Sequence, residues 1–287
     1  MTGGDRPGEP SPPLPADESD HDVVVVGSGF GGSVAALRLA EKGYDVLVYE
    51  AGRRFEDVDL PLTSWDLPRF LWAPALGWFG VQRIHRLRDV VVLAGAGVGG
   101  GSLNYANTLY VPPRPFFADA QWGGITDWQA ELAPYFDQAS RMLGVVTNPC
   151  LGVVEETMRD VAEEMGVGET FRKAPVGVFF GRGDQREPGV TVPDPFFGGA
   201  GPPRTGCVEC GNCMVGCRYG AKNTLVKNYL TLAEGLGARV EPLRTVVGVQ
   251  PRDPRRPERG WLVTSVRTGA RGRWRDARTV TAGQVVI

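Results

Sequence analysis

The sequence is poor in several things that usually announce a function. Histidine is the scarcest: His21 and His85 are the two in 287 residues. Imidazole acid–base chemistry and histidine-rich metal sites therefore have few places to sit. Net charge is scarce too, at −2, so no overall field draws the chain to nucleic acid or to an anionic membrane. No stretch reaches the roughly 18 uninterrupted apolar residues of a membrane span. The N-terminus shows no basic segment leading into an apolar run, so no signal peptide is expected, and a cytoplasmic location is the expectation. Cysteines number five, four of them bunched, unlike the framework of an oxidised secreted domain. Backbone freedom, by contrast, is abundant. Forty glycines and 23 prolines predict many turns and close backbone approaches.

The most informative stretch runs from Asp22 to Arg54. The run Val23-Val24-Val25-Val26 has the composition of a strand buried on both faces. Gly27-Ser28-Gly29-Phe30-Gly31-Gly32 follows at once in the G-x-G-x-x-G order, and an Ala/Leu-rich helix opens on it. A second apolar strand, Val46-Leu47-Val48-Tyr49, ends in Glu50. Each part has a physical role. Gly27 allows the tight turn, Gly29 admits a pyrophosphate close to backbone, and Gly32 lets helix and strand pack. The unsatisfied N–H groups of the helix's first turn favour phosphate. Glu50, about 20 residues on, can accept a hydrogen bond from a ribose hydroxyl. Strand, turn, helix, strand and acid in register predict a dinucleotide site in an α/β fold.

Further along, residues 55–88 read as irregular and aromatic. Asp89–Ala94 reads as a short strand running into Gly95-Ala96-Gly97-Val98-Gly99-Gly100-Gly101-Ser102, where so many glycines require backbone to pass close to something. A helix opens at Thr126 or Asp127 and ends at Gly144, and a second is expected over 154–165. A third covers 223–235. Residues 240–249, 261–266 and 280–287 read as three strands.

Cys207, Cys210, Cys213 and Cys217 follow the x2, x2, x3 spacing of bacterial ferredoxin runs, with Arg218 where proline is usual. An iron–sulfur cluster, a four-thiolate zinc site and unligated thiols all remain open on this spacing. Cys150 is a further candidate ligand.

Together, Gly27–Gly32, Glu50-Ala51-Gly52-Arg53, and above all Gly99-Gly100-Gly101-Ser102 after a strand resemble the glucose–methanol–choline oxidoreductases, nearest their cholesterol oxidase branch. Asp127-Trp128, Glu131–Phe136, Arg141–Val145 and Gly220–Leu225 are similar to the same branch. The resemblance implies bound FAD and oxidation of CH–OH groups of alcohols, sterols among them, with hydride passing to flavin N5 and the electrons then going to oxygen or a protein acceptor. It implies an FAD-binding Rossmann-like parallel sheet with a β-meander, plus part of an inserted α+β substrate domain. The corresponding division is a disordered tail at 1–20, FAD-binding segments at 21–112 and 222–287, and an inserted region with the cysteines at 113–221. Gly27, Gly29, Gly32, Glu50, Gly52 and Arg53 would serve the ADP half. Gly100, Gly101, Ser102 and Asn104 would serve the pyrophosphate and flavin, and Val246 the adenine. Tyr105 stands where many relatives carry asparagine, so Asn104 or Asn107 would substitute. The family's catalytic histidine has no counterpart at His21 or His85. The expectation is thus an N-terminal part of a larger enzyme, inactive on alcohols alone. A non-catalytic flavin/iron–sulfur electron-transfer subunit is the alternative.

Overall fold

The computed structural model describes residues 20–183, 185–269 and 276–287. The tail expected over 1–20 lies outside them except for Asp20. Strand β1 (His21–Val26) leads through the glycine turn into helix α1 (Phe30–Ala40), and strand β2 (Val46–Tyr49) returns beside β1 in parallel. A hairpin of β3 (Gln82–Arg86) and β4 (Val91–Gly95) precedes the second glycine loop. Helices α2 (Trp128–Met142) and α3 (Val153–Glu164) follow, then a loop-rich stretch and helix α4 (Tyr229–Gly235). The chain closes with β5 (Arg239–Glu241), β6 (Arg244–Pro251), β7 (Trp261–Arg267) and β8 (Arg278–Val286).

The main sheet has the order β5-β2-β1-β8-β7-β6. Its β5, β2, β1 and β8 run parallel, while β6, β7 and β8 form an antiparallel meander. The valine run of β1 is buried because the sheet is covered on both faces. Val23 and Val25 pack with Ala36, Leu37 and Ala40 of α1 and with Leu230 and Ala233 of α4. On the other face Val24, Leu47 and Tyr49 meet Val263 and Ala282.

Several expectations change in detail. The helix expected over 223–235 is broken at Asn228, whose side chain accepts the Tyr229 N–H and so starts a new helix instead of continuing the old one. The single strand expected over 240–249 is two strands at opposite edges of the sheet. Pro242 offers no N–H and Leu243 takes a left-handed φ of 57°, so the chain leaves β5, crosses the end of β2 and enters β6. Residues 82–86, read as irregular, form one arm of the β3–β4 hairpin. The predicted helix over 154–165 exists, but Val154, Met158, Val161 and Met165 point outward and stay exposed.

Candidate functional site

The glycine turn and Glu50 come together at the carboxyl ends of β1 and β2, where open α/β sheets place their ligands. The cleft there is about 750 Å³ and is lined by Gly27, Gly29, Glu50, Gly100, Gly101, Asn104, Tyr105 and Val246, among others. A Cβ added at Gly29 would meet no atom within 4 Å. This open space borders the first turn of α1, which holds no acidic side chain. A Cβ at Gly32 would instead collide with the Gly27 carbonyl, and one at Gly52 with the backbone of Gly97. Gly32 and Gly52 therefore permit packing, while Gly29 leaves room.

Glu50 is buried, and its carboxylate is already held. Oε2 accepts the Ser28 N–H at 3.0 Å and the Ser28 hydroxyl at 2.6 Å, while Oε1 accepts the Gly52 N–H at 2.7 Å. Its backbone is clasped by the crossing chain: Glu50 N–H donates to Glu241 O at 3.0 Å, and Arg244 N–H donates to Glu50 O at 2.8 Å. The same crossing delivers Arg244, Thr245 and Val246 to the wall beside Glu50. Arg244 is buried and paired with Asp276, Nη2 to Oδ2 at 3.1 Å.

At the other end, Asn104 lines the cleft and its Nδ2 donates to Gln82 Oε1 at 2.9 Å. The Tyr105 ring stands edge-on to Phe30 at 6.0 Å. Burial pushes its phenol well above the ordinary tyrosine value. Not every candidate reaches the cleft. The buried Ser102 hydroxyl donates to Gly99 O at 2.7 Å and accepts the Leu225 N–H at 3.0 Å, tying the second glycine loop to the segment before α4. Arg53 stacks its guanidinium 4.3 Å from the Phe55 ring centre. Asn107 lines a separate cavity with the cysteines. Gln82, Arg244 and Met214 line the cleft, and Ser28 lies buried behind its lining and holds Glu50; sequence reasoning missed all four, and adjacency to Gly29 was the one available signal, pointing to Ser28.

For the cysteines, the spacing left an iron–sulfur cluster, a four-thiolate zinc site and unligated thiols open. Cys150, Cys207, Cys210, Cys213 and Cys217 do line one cavity, of about 360 Å³, with Lys222. All five are free thiols. Yet among the described residues no three His, Cys, Asp or Glu side chains are grouped so that they could hold a metal ion. The Lys222 ammonium occupies the cavity wall, donating to the carbonyls of Leu103 at 2.8 Å, Tyr105 at 3.1 Å and Cys213 at 2.7 Å. It pins the cysteine loop to the second glycine loop. Burial, then the neighbouring thiols, pushes Cys207 up to about 12.

Neither histidine lines the cleft. His21 lies at the opposite end of β1, buried, with Nδ1 2.8 Å from Asp45 Oδ2. His85 is exposed on the β3–β4 hairpin. No helix among the described residues is long and apolar enough to cross a membrane.

Parallel strands, glycine turn, open first helical turn and held acid define a dinucleotide-binding Rossmann-like domain, and residues 25–55 match the family model for an NAD(P)-binding Rossmann-like domain. Beyond that segment, the chain is homologous over nearly its whole length to the N-terminal part of cholesterol oxidases, which are glucose–methanol–choline oxidoreductases. It is 63% identical over 268 residues to a cholesterol oxidase of Mycobacterium tuberculosis (strain ATCC 25618 / H37Rv), spanning 93% of this chain and 46% of that protein. It is 44% identical to the cholesterol oxidase of Acinetobacter baumannii, over 81% of this chain and 42% of the relative. A long-chain-alcohol oxidase of Arabidopsis thaliana is 39% identical over 73% of this chain and 25% of its own length. The chain spans less than half the length of these curated relatives.

Proposed function

We propose that the whole protein carrying this chain is an FAD-dependent oxidoreductase acting on the CH–OH group of alcohols, sterols among them. The observation that carries the reading is the open space over Gly29 facing the held carboxylate of Glu50, in a chain 63% identical to a cholesterol oxidase over 93% of its length. The residues fit the cofactor. Glu50 keeps an acceptor direction on Oε1 for a ribose hydroxyl, and its charge repels a ribose phosphate. Gly29 lets a pyrophosphate reach the N–H groups of α1. Gly100 and Gly101 form the facing wall, and Val246 the adenine side. Asn104, oriented by Gln82, and Tyr105 bound the flavin end. When bound, FAD supplies the two-electron acceptor for the hydride that leaves the alcohol carbon. The chain's own part is to bind and orient; neither histidine is assigned as the base, since neither faces the cleft. Oxygen is the acceptor that an oxidase reading implies.

The test is anaerobic. Cholesterol or a long-chain primary alcohol, added under argon to the whole protein loaded with FAD, should bleach the flavin band, and readmitted oxygen should restore it. A flavin band unmoved by both classes of alcohol would contradict the reading.

A further inference from the structure

The Ser28 side chain is fully buried, and its hydroxyl joins two parts of the cleft that are far apart in sequence. It donates to Glu50 Oε2 at 2.6 Å and accepts the backbone N–H of Gly99 at 3.1 Å. The direction of these bonds is fixed. Gly99 N–H can only donate, so the single hydroxyl proton goes to the carboxylate. Ser28 N–H donates to the same Oε2 at 3.0 Å, and Gly52 N–H holds Oε1 at 2.7 Å. A carboxylate has about four acceptor sites, two on each oxygen. Both on Oε2 are filled and one on Oε1 is filled, so one remains.

We propose that Ser28 is the positioning residue for Glu50: its hydroxyl locks the carboxylate so that a single Oε1 lone pair is presented to one ribose hydroxyl, and it registers that acid against the second glycine loop. The inference rests on the reading of the cleft as a dinucleotide site and sharpens it. Recognition of the ribose is by one hydroxyl. A bidentate grip on both would need a second free acceptor that Ser28 and Gly52 have taken.

The experiment titrates ADP, 2′-deoxy-ADP and 3′-deoxy-ADP into the full chain by calorimetry, for the unaltered protein, Ser28→Ala, Glu50→Ala and the double variant. One of the two deoxy nucleotides should bind the unaltered protein more weakly than ADP, and the other about as well. Ser28→Ala should weaken ADP roughly tenfold, the loss of one charge-assisted hydrogen bond, and erase the discrimination between the deoxy forms. With Glu50→Ala already present, removing the hydroxyl should change ADP affinity by less than about twofold. Equal losses in both backgrounds, or discrimination that survives Ser28→Ala, would overturn the proposal. If Ser28→Ala loses its cooperative melting transition, Ser28→Cys carries the same comparison, because it keeps the volume and offers only a weak donor. Unaltered protein that binds no ADP would remove the dinucleotide reading and this inference with it. Binding without the coupling would remove the inference alone.

Discussion

At Lys222 burial works against the charge. The ammonium is 1% exposed and its partners are three carbonyls, so desolvation lowers its pKa from the ordinary 10.5 to about 8. Between those values the unfolded chain holds a proton that the folded chain has released, and the Lys222 contribution to stability rises with pH. Urea midpoints measured from pH 7 to 10 should therefore climb relative to those of Lys222→Met; parallel curves for the two proteins would contradict this. Among the thiols, exposed Cys210 should react with a maleimide well before Cys207, held near 12, because the thiolate is the nucleophile. Mass spectrometry after partial labelling at pH 8 reads the order, and label on Cys207 first would refute it. Glu50 and Gly29 were legible in the sequence because their signals are local: a glycine after a strand, an acid ending the next one. Gln82, Arg244 and Met214 were not, since each reaches the cleft from a distant segment through tertiary packing.

Glycines of one turn divide into two kinds at the level of the element. Gly29 has extended backbone, φ −69° and ψ −165°, with open space around its missing side chain. Gly29→Ala should melt close to the unaltered protein and yet lose ADP and FAD affinity, the added methyl standing where pyrophosphate must approach. Gly32→Ala forces α1 away from the turn, an overpacking cost of about 1–3 kcal/mol, and should lower the melting temperature. Calorimetry on both variants separates the roles; equal destabilisation would show that Gly29 too is there for packing. Element existence was legible wherever periodicity or a cap spoke: β1, α1, β2, and α2 with Asp127 accepting the Ala130 N–H. It failed where one residue redirects the chain. Pro242 and Leu243 split the single strand expected over 240–249 into edge strands on opposite sides of the sheet, and Asn228 restarts a helix. Periodicity reports which residues want burial, and Val240, Val246, Leu225 and Leu230 all still pack into the core after these breaks.

In the molecule as a whole, the sheet's order explains why distant segments share one site. Placing β5 beside β2 and β6 at the far edge carries the chain across the strand ends, over Glu50, before the meander returns β8 to β1. The second glycine loop is then fixed from three sides: by Ser28, by Ser102 through Leu225, and by Lys222. Glu50→Ala breaks into this assembly. It removes a hydrogen bond to ribose worth about 1.5–3 kcal/mol with a charged partner and strands the Ser28 and Gly52 donors. Both FAD affinity and thermal stability should fall, and unchanged FAD titrations would show that Glu50 is not the ribose acid. The most direct measurement is a crystal structure of the chain grown with FAD. The account predicts a ribose hydroxyl within hydrogen-bond distance of Glu50 Oε1, the pyrophosphate over Gly29 and against Gly100, and the adenine beside Val246. FAD seated outside this cleft, or an empty cleft at saturating FAD, would contradict it.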